Sequence, residues 1–515
     1  MPSSISNNKR IAKNTLLLYF RMLLTMGVAL FTSRVVLNTL GVVDYGIYNV
    51  VGGVVTMFSF INSALITSTQ RYLTFELGKG NLEQVKKVFT ASIYIYIVIS
   101  LIIVLLGETV GLWFFYNKMV IPENRVDAAM WVYQFSIVTM IVQVMSAPYN
   151  SVIIAHENMN VFAVISILEV MLKLVVVYLL LICSGDKLIC YAIMLAAVQL
   201  LIRFIYTCYC KKHYEESIMK KSFDKPLIIE MSKFAGWNIW GNLAATLFGT
   251  GLNLLLNVFF GPIVNAARAV AVQVEAAIMQ FSTNFLTAVN PQITKLYAQN
   301  DLSGMHTLLC RASKFSCFLL LMLSLPVIIE AETILTLWLK VVPDYTIPFM
   351  RILLCIMIMD TIARPLMTAA AATGDVKKYQ SIIGGILLLI VPIAYLVLKL
   401  GGTPTSVYVV YLSVTIVAFV TRLIIIRPMI KLSLRCFFIS VIMPCFWVAI
   451  ISFVGSYATK QALPKGIEYS FIICSVCALL VIASSYFIGI TKGERTFINE
   501  KVGDVLKKII HGKNS

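Results

Sequence analysis

Long runs of apolar residues follow one another from one end of the chain to the other, with short polar connections between them. Each run is close to the length of about twenty residues that an α-helix needs to cross a bilayer. The pattern therefore predicts an all-α, polytopic membrane protein of about fourteen transmembrane helices. The predicted spans are 14–40, 44–68, 88–115, 128–155, 159–183, 187–210, 227–259, 263–289, 307–338, 346–371, 377–399, 404–427, 434–457 and 467–490.

Composition and charge add an orientation to this pattern. Of the 515 residues, 59% are hydrophobic and only 13% are charged, yet the net charge is +18. The lysines and arginines fall mainly in alternate connections, roughly 26 on the side of the N-terminus and 7 on the opposite side. Connections rich in lysine and arginine stay in the cytoplasm, so both termini are predicted to be cytoplasmic. The positive charge is interpreted as this topology signal, and no nucleic-acid partner is expected.

The sequence matches itself at an offset of about 220 residues, which indicates an internal duplication. Gly41 meets Gly261, and each glycine ends a predicted helix that carries an asparagine shortly before it, Asn38 or Asn257. Further along the offset becomes 217, where the proline-containing helix and polar turn of 147–162 meet those of 364–379. Six helices separate matching positions, so we predict two parallel, pseudo-symmetric six-helix bundles followed by two C-terminal helices.

The repeat predicts the domain organisation. Two lobes of this kind commonly work by alternating access around a central cavity. After the last span, apolar residues share one face of a basic segment, which predicts an amphipathic helix on the cytoplasmic membrane surface. The predicted parts are an N-terminal lobe at 1–212, a cytoplasmic linker at 213–226, a C-terminal lobe at 227–430, the last two spans at 431–490 and the amphipathic tail at 491–515.

Several charged side chains lie inside the apolar runs, where an ionisable residue is costly and is a functional candidate. Arg34 lies deep in the first span, and the sequence places no acidic residue within one turn of it. Arg21 lies nearer to the cytoplasmic side and can partly reach the interface. Guanidinium groups bind phosphate through paired hydrogen bonds, so these cations favour an anionic substrate. The candidates for a central cavity are Arg34, Arg21, Arg268, Arg364, Asn38 and Asn257.

The acidic residues within the spans leave two interpretations open. Carboxylates and cations on one helix face, about one or two turns apart, can form internal ion pairs. The same carboxylates could instead couple transport to a cation. The pairs in question are Glu169 with Lys173, Asp360 with Arg364, and Glu275 with Arg268.

The segment "TSRVVLNTLGVVDYGIYNVVGGVVTMFSFIN" resembles the N-terminal signature of the polysaccharide-export flippases, the O-antigen flippase family. The pattern of that signature appears here as Arg34, Leu40, Gly41, Tyr45 and Gly46. The resemblance covers the whole chain, as two six-helix lobes with two further helices. It implies the fold of the multidrug, oligosaccharidyl-lipid and polysaccharide exporter superfamily.

The resemblance also implies a function. Flippases of this family move polyprenyl-pyrophosphate-linked oligosaccharide repeat units of O-antigen, capsule or other surface polysaccharides from the inner to the outer leaflet of the bacterial cytoplasmic membrane. A cationic central cavity would hold the pyrophosphate and the sugar. The resemblance allows for coupling to a sodium or proton gradient, and for partners among membrane lipids, polysaccharide polymerases and chain-length proteins. No cofactor, catalytic residue or metal site is expected.

Other functions stay open as alternatives. A cation-coupled multidrug exporter and a lipid II flippase share the implied fold. The drug-exporting branch usually carries acidic residues in its N-terminal lobe and stops at twelve helices, whereas the first span here carries arginines. A polysaccharide polymerase or glycosyltransferase is less favoured, because no predicted outer connection exceeds roughly a dozen residues and no nucleotide-binding glycine-rich loop is present. We therefore predict a transporter rather than an enzyme.

Overall fold

The computed structural model describes residues 2–56, 59–119, 121–219, 223–339, 342–464, 466–496 and 499, and the predicted tail helix beyond them lies outside the described residues. Within these ranges the chain is built of helices without strands, which confirms the predicted all-α class. The α-helices are α1 Pro2–Thr56, α2 Ser59–Lys79, α3 Leu82–Leu106, α4 Leu112–Lys118, α5 Val126–Ala155, α6 Met159–Ile182, α7 Lys187–His213, α8 Lys225–Phe260, α9 Pro262–Ala298, α10 Leu302–Ile329, α11 Ala331–Leu339, α12 Thr346–Ala372, α13 Lys377–Leu388, α14 Ile390–Lys399, α15 Pro404–Met429, α16 Leu434–Phe437, α17 Met443–Ala462 and α18 Ile467–Ser484.

The helices follow the predicted spans closely. Among the described residues, 11 helical stretches are long and apolar enough to cross a membrane. The long helices outside that set are α1, α2 and α9, in which polar and charged residues interrupt the apolar pattern. Several spans consist of two consecutive helices, such as α3 with α4 and α13 with α14. The result is a polytopic helical membrane protein, as predicted.

The backbone repeats in the two halves of the chain. Residues with a positive φ are uncommon outside glycine, so their positions mark special turns. Of the nine described residues with positive φ, six fall into three pairs at the repeat offsets of 220, 220 and 217. The pairs are Gly41 (φ 80°) with Gly261 (φ 78°), Gly80 (φ 74°) with Asn300 (φ 59°), and Glu157 (φ 59°) with Gly374 (φ 86°). These matched turns support the duplication, because nothing in the weak sequence match requires equal backbone angles.

Packing divides the chain into two compact units. Unit 1 comprises 1–247, 287–302 and 368–385, and unit 2 comprises 248–286, 303–367 and 386–515. Each unit has an apolar core of its own, around Tyr96 and Tyr133 in unit 1 and around Phe349 and Tyr408 in unit 2. Unit 1 therefore contains the end of α9 and the region from α12 to α13, both from the second half of the repeat. The lobe boundaries predicted from the sequence stay a prediction.

Within unit 2, the C-terminal part of the chain forms polar contacts at two places along α10, just after its end and near its middle. Just after α10, the buried carboxylate of Glu330 lies 3.1 Å from Lys460 Nζ and accepts a hydrogen bond from Ser470 Oγ at 2.8 Å. Near the middle of α10, Lys314 Nζ donates to Glu494 at 2.8 Å. Burial acts to raise the pKa of Glu494, but the hydrogen bonds from Lys314 and Thr491 together with the charge of Lys314 hold the pKa below its usual value.

The predicted outer end of unit 1 is held by one arginine. Arg125 Nε donates to Asp44 at 2.8 Å, and Arg125 Nη1 donates to Asp186 at 2.5 Å. Burial acts to raise the pKa of Asp186, but the hydrogen bond and charge of Arg125 together with the backbone N–H groups of Ile189 and Leu188 hold that pKa below its usual value. A disulfide joins Cys183 and Cys190 on either side of Asp186. The part of α1 just after its break at Gly41 and the connections before α5 and α7 are thereby linked at this end.

Candidate functional site

Two of the sequence-predicted cavity residues lie on α1, just before its break at Gly41. The backbone of Arg34 is helical and stands seven residues before this glycine, about 10 Å along the helix axis. Asn38 stands three residues before the same glycine. The side chains of Arg34 and Asn38 lie outside the described residues, so their cavity role stays a prediction.

Arg21 is packed against α6 inside unit 1. Its Nη1 atom donates to Ser166 Oγ at 3.3 Å, and its guanidinium lies 4.6 Å from the centre of the Phe162 ring. The contact with the ring adds a cation–π attraction to the hydrogen bond. Arg21 is therefore held in the protein interior, next to the polar face of α6.

The carboxylate of Glu169 joins α6 to α7 near Arg21. Its Oε1 atom accepts from Lys173 Nζ at 2.6 Å and from Gln199 Nε2 at 2.8 Å. Glu169 and Lys173 thus form an internal ion pair. We call Arg21, Ser166, Glu169, Lys173 and Gln199 the N-half cluster. It contains two cationic side chains and one carboxylate.

In unit 2, Asp360 has a closer partner than the one predicted from spacing. Arg422 Nη1 on α15 donates to Asp360 Oδ1 at 2.5 Å, whereas the Nε atom of Arg364 lies 3.9 Å from Asp360 Oδ2. The Arg422 side chain is only 7% exposed. Sequence reasoning missed Arg422, although an arginine inside an apolar run is itself the signal that singled out the other candidates.

Arg268 and Glu275 lie two turns apart on α9 in the same unit. Arg268 Nη2 donates to the backbone carbonyl of Gly249 on α8 at 2.8 Å. Glu275 lies within electrostatic range of Asp360, Arg268 and Arg364. Among the described residues, however, no hydrogen bond or ion pair within 4 Å joins Glu275 to any of them. The predicted pairing of Arg268 with Glu275 is therefore replaced by a bond from Arg268 to the backbone.

These residues define a second group of buried charges. We call Arg268, Glu275, Asp360, Arg364 and Arg422 the C-half cluster. It contains three arginines and two carboxylates, so cations outnumber carboxylates here as they do in the N-half cluster. The remaining cavity candidate, Asn257, has an exposed side chain near the end of α8.

A small open cavity also lies within unit 1. Its volume is about 170 Å³, and it is lined by Tyr48, Ser136, Thr139 and Gln143 together with apolar residues. None of the charged candidates lines it, so it does not extend either cluster. Among the residues that the structure describes, no three His, Cys, Asp or Glu side chains come together in a way that could hold a metal ion.

Comparison with solved structures finds this fold in membrane transporters. An outward-facing multidrug-resistance MATE transporter of the MOP superfamily matches with a TM-score of 0.73 and 13% identity, over 82% of this chain and 96% of that chain. A MATE transporter in the bent conformation matches with a TM-score of 0.71 and 14% identity, over the same shares of the two chains.

A third matching structure is described by the reversed polarity of its binding pocket. It is a MOP superfamily transporter from Pyrococcus furiosus, whose binding pocket of reversed polarity suggests a different function for that protein. It matches with a TM-score of 0.70 and 13% identity, over 82% of this chain and 96% of that chain. At such identities the likeness shows that this chain has the MATE transporter fold. No protein-family model matches the sequence, and no curated protein matches it.

Proposed function

We propose that the protein is a flippase that moves polyprenyl-pyrophosphate-linked oligosaccharide from the inner to the outer leaflet by alternating access. The shared fold supports membrane export as the general activity. The signature around Arg34 and the two helices beyond the twelfth span support the lipid-linked sugar branch of that fold. The substrate would carry its negative charge on the pyrophosphate, and the clusters supply groups that suit it.

One observation carries this proposal: in both clusters, which lie on helices with long apolar runs, cations outnumber carboxylates. A net positive charge within membrane helices is costly and favours a negatively charged ligand. Arginine donates two parallel hydrogen bonds to a phosphate, so it suits a pyrophosphate better than it suits a drug cation. The net positive charge of the two clusters therefore favours an anionic substrate.

Glu275 is the proposed coupling residue. It is a carboxylate within a membrane-spanning helix, and no ion pair within 4 Å holds it among the described residues. A carboxylate of this kind can take up a proton or a sodium ion, which would link the state of the C-half cluster to a gradient. Asp360 and Glu169 are less suitable, because Arg422 and Lys173 already neutralise them.

We place the protein in the bacterial cytoplasmic membrane with both termini in the cytoplasm. The excess of lysine and arginine on the side of the N-terminus supports this orientation. The connections on the opposite side carry few lysines and arginines, in agreement with this orientation.

A multidrug exporter is the second candidate, because the solved structures with this fold include multidrug-resistance transporters. Deleting the gene separates the two functions. We expect loss of surface polysaccharide, accumulation of lipid-linked repeat units inside the cell, and recovery of both when the intact gene is returned. Increased drug sensitivity with normal surface polysaccharide would contradict the flippase and favour the exporter.

A further inference from the structure

Segments from both halves of the repeat meet inside unit 1. The end of α9 at 287–302 and the turn between α12 and α13 at 368–385 pack with the helices of the first half. All of these segments belong to the end that is rich in lysine and arginine, the predicted cytoplasmic end. Polar contacts join them, beside apolar packing of Ala288 against first-half residues and of Val376 against others.

The first contact is centred on Glu157, in the turn between α5 and α6. Lys295 Nζ on α9 donates to Glu157 Oε1 at 2.7 Å, and Gln292 Nε2 donates to Oε2 at 3.0 Å. Arg10 on α1 adds a second cation, 2.9 Å from Oε2. The Glu157 side chain is only 3% exposed, and its φ of 59° is unusual for a residue with a Cβ atom. Strained residues of this kind often sit at switch regions.

The second contact is centred on Arg71, near the end of α2. The Nε atom of Arg71 donates to the carbonyl of Ala371 at 3.2 Å, and its Nη2 atom donates to that of Ala372 at 2.8 Å. These carbonyls end α12, where the helix dipole is negative and attracts a cation. The turn then passes Gly374, where a Cβ atom would lie only 2.6 Å from Arg71 Nη2. The absence of a side chain at Gly374 makes room for the guanidinium.

The two contacts are related by the internal repeat. Helix α9 corresponds to α2 at the offset of 220, and the turn at Gly374 corresponds to the turn at Glu157 at the offset of 217. A cation from each half therefore enters the equivalent turn of the other half. Lys295 corresponds to residue 75, so the two cations stand one helical turn apart rather than at the same position.

The helices α2 and α9 touch directly between the two contacts. A Cβ atom at Gly78 would lie 2.9 Å from Lys295 Cα and 3.0 Å from Ala298 Cβ. Gly78 and Ala298 are themselves related by the offset of 220. This close approach lies where the symmetry of the repeat brings equivalent residues together, and only small side chains fit there.

We propose that these reciprocal contacts form a latch that closes the predicted cytoplasmic end of unit 1 and opens as a whole during transport. The inference rests on the proposed function only for the claim that opening belongs to a transport cycle. Ion pairs suit such a device, because Glu157, Lys295 and Arg71 become hydrated when they separate.

Amide hydrogen exchange on the purified full-length protein tests the latch without any substrate. The reporter is the distant turn, where Thr373 and Gly374 donate backbone hydrogen bonds to Ala370 and Ala371. We expect Lys295→Ala, which removes a contact around Glu157, to speed exchange at 371–376 by roughly tenfold or more. If the latch opens as a whole, loss of the contacts around Glu157 also breaks the hydrogen bonds from Arg71 to the end of α12.

Control variants distinguish a latch in which both contacts open together from two contacts that open independently. Glu157→Gln keeps the size of the side chain and carries the test if Lys295→Ala does not accumulate in the membrane. Lys79→Ala removes an exposed cation at the same helix end, paired only within α2 to Glu76 at 3.9 Å, and should leave exchange at 371–376 unchanged. Faster exchange confined to the neighbourhood of Glu157 and Lys295 would overturn the latch, and it would leave the proposed substrate unaffected.

Discussion

Replacing Arg34 with alanine should abolish export of surface polysaccharide while leaving the protein inserted in the membrane. A charged residue in the middle of a membrane helix costs at least about 2.5 kcal/mol, so its removal does not hinder insertion. What is lost is a cation proposed to bind the pyrophosphate. The variant is tested by returning it to a deletion strain, measuring surface polysaccharide, and measuring the amount of protein in the membrane fraction.

The matched variant is Arg34→Lys. It keeps the charge but loses the two parallel hydrogen bonds that a guanidinium donates to a phosphate, so export should fall without being abolished. Normal surface polysaccharide in Arg34→Ala would show that Arg34 has a structural role. A loss of protein from the membrane would also contradict the account, because it would mean that the charge supports folding.

Asp360→Ala is expected to produce the largest loss of stability. The substitution leaves Arg422, whose side chain is 7% exposed, without its carboxylate at 2.5 Å. Breaking a buried ion pair by removing one partner costs about 3–5 kcal/mol, because the remaining buried charge loses its counter-charge. The midpoint of thermal unfolding of the purified protein in detergent measures this effect, together with the yield from the membrane.

Two further variants separate this cause from a general effect of mutation. Asp360→Ala combined with Arg422→Met removes both charges and should recover most of the lost stability, since an apolar pair can replace a buried ion pair. Lys79→Ala breaks an exposed pair and should cost no more than about 1 kcal/mol. A single Asp360→Ala variant as stable as the unmodified protein would mean that Arg422 has another strong partner.

Much of the fold follows from patterns that are local in the sequence. The length of each apolar run determines where a helix can cross the membrane, so most of the fourteen predicted spans coincide with helices, although the span 44–68 runs from the end of α1 into α2. The glycines at the helix ends were also informative, because Gly41 and Gly261 take nearly the same positive φ. Spacing along a helix likewise indicated the pair Glu169 and Lys173, which lie 2.6 Å apart.

The contacts between distant segments could not be predicted in this way. Nothing in the local pattern connects Arg422 with Asp360, which are 62 residues apart, or Lys295 with Glu157, which are 138 apart. Lys295 was counted as a topology signal, and its charge does serve that purpose, but its position also places it in a buried ion pair. A lysine near the end of a span can thus indicate the cytoplasmic side and also form a buried ion pair. Only the folded structure shows whether it forms such a pair.

The proposed binding of a lipid-linked anion depends on the charged side chains within the helices. Both clusters contain more cations than carboxylates, and the sequence already placed Arg21 and Arg268 inside apolar runs. The role of each cation was not, because Arg268 bonds to the carbonyl of Gly249 at 2.8 Å rather than to Glu275. Sequence reasoning identified several of the charges inside the helices but missed Arg422, and the structure was needed to identify their partners.

The most direct test of the central claim is the leaflet in which the lipid-linked oligosaccharide resides. The purified protein is reconstituted into sealed vesicles with this lipid, and a membrane-impermeant oxidant that reacts with sugars is added outside. We predict that nearly all of the lipid-linked sugar becomes reactive in vesicles with the protein. Without the protein, or with Arg34→Ala, only the share in the outer leaflet should react. An equal reactive share with and without the unmodified protein would contradict the proposed flippase.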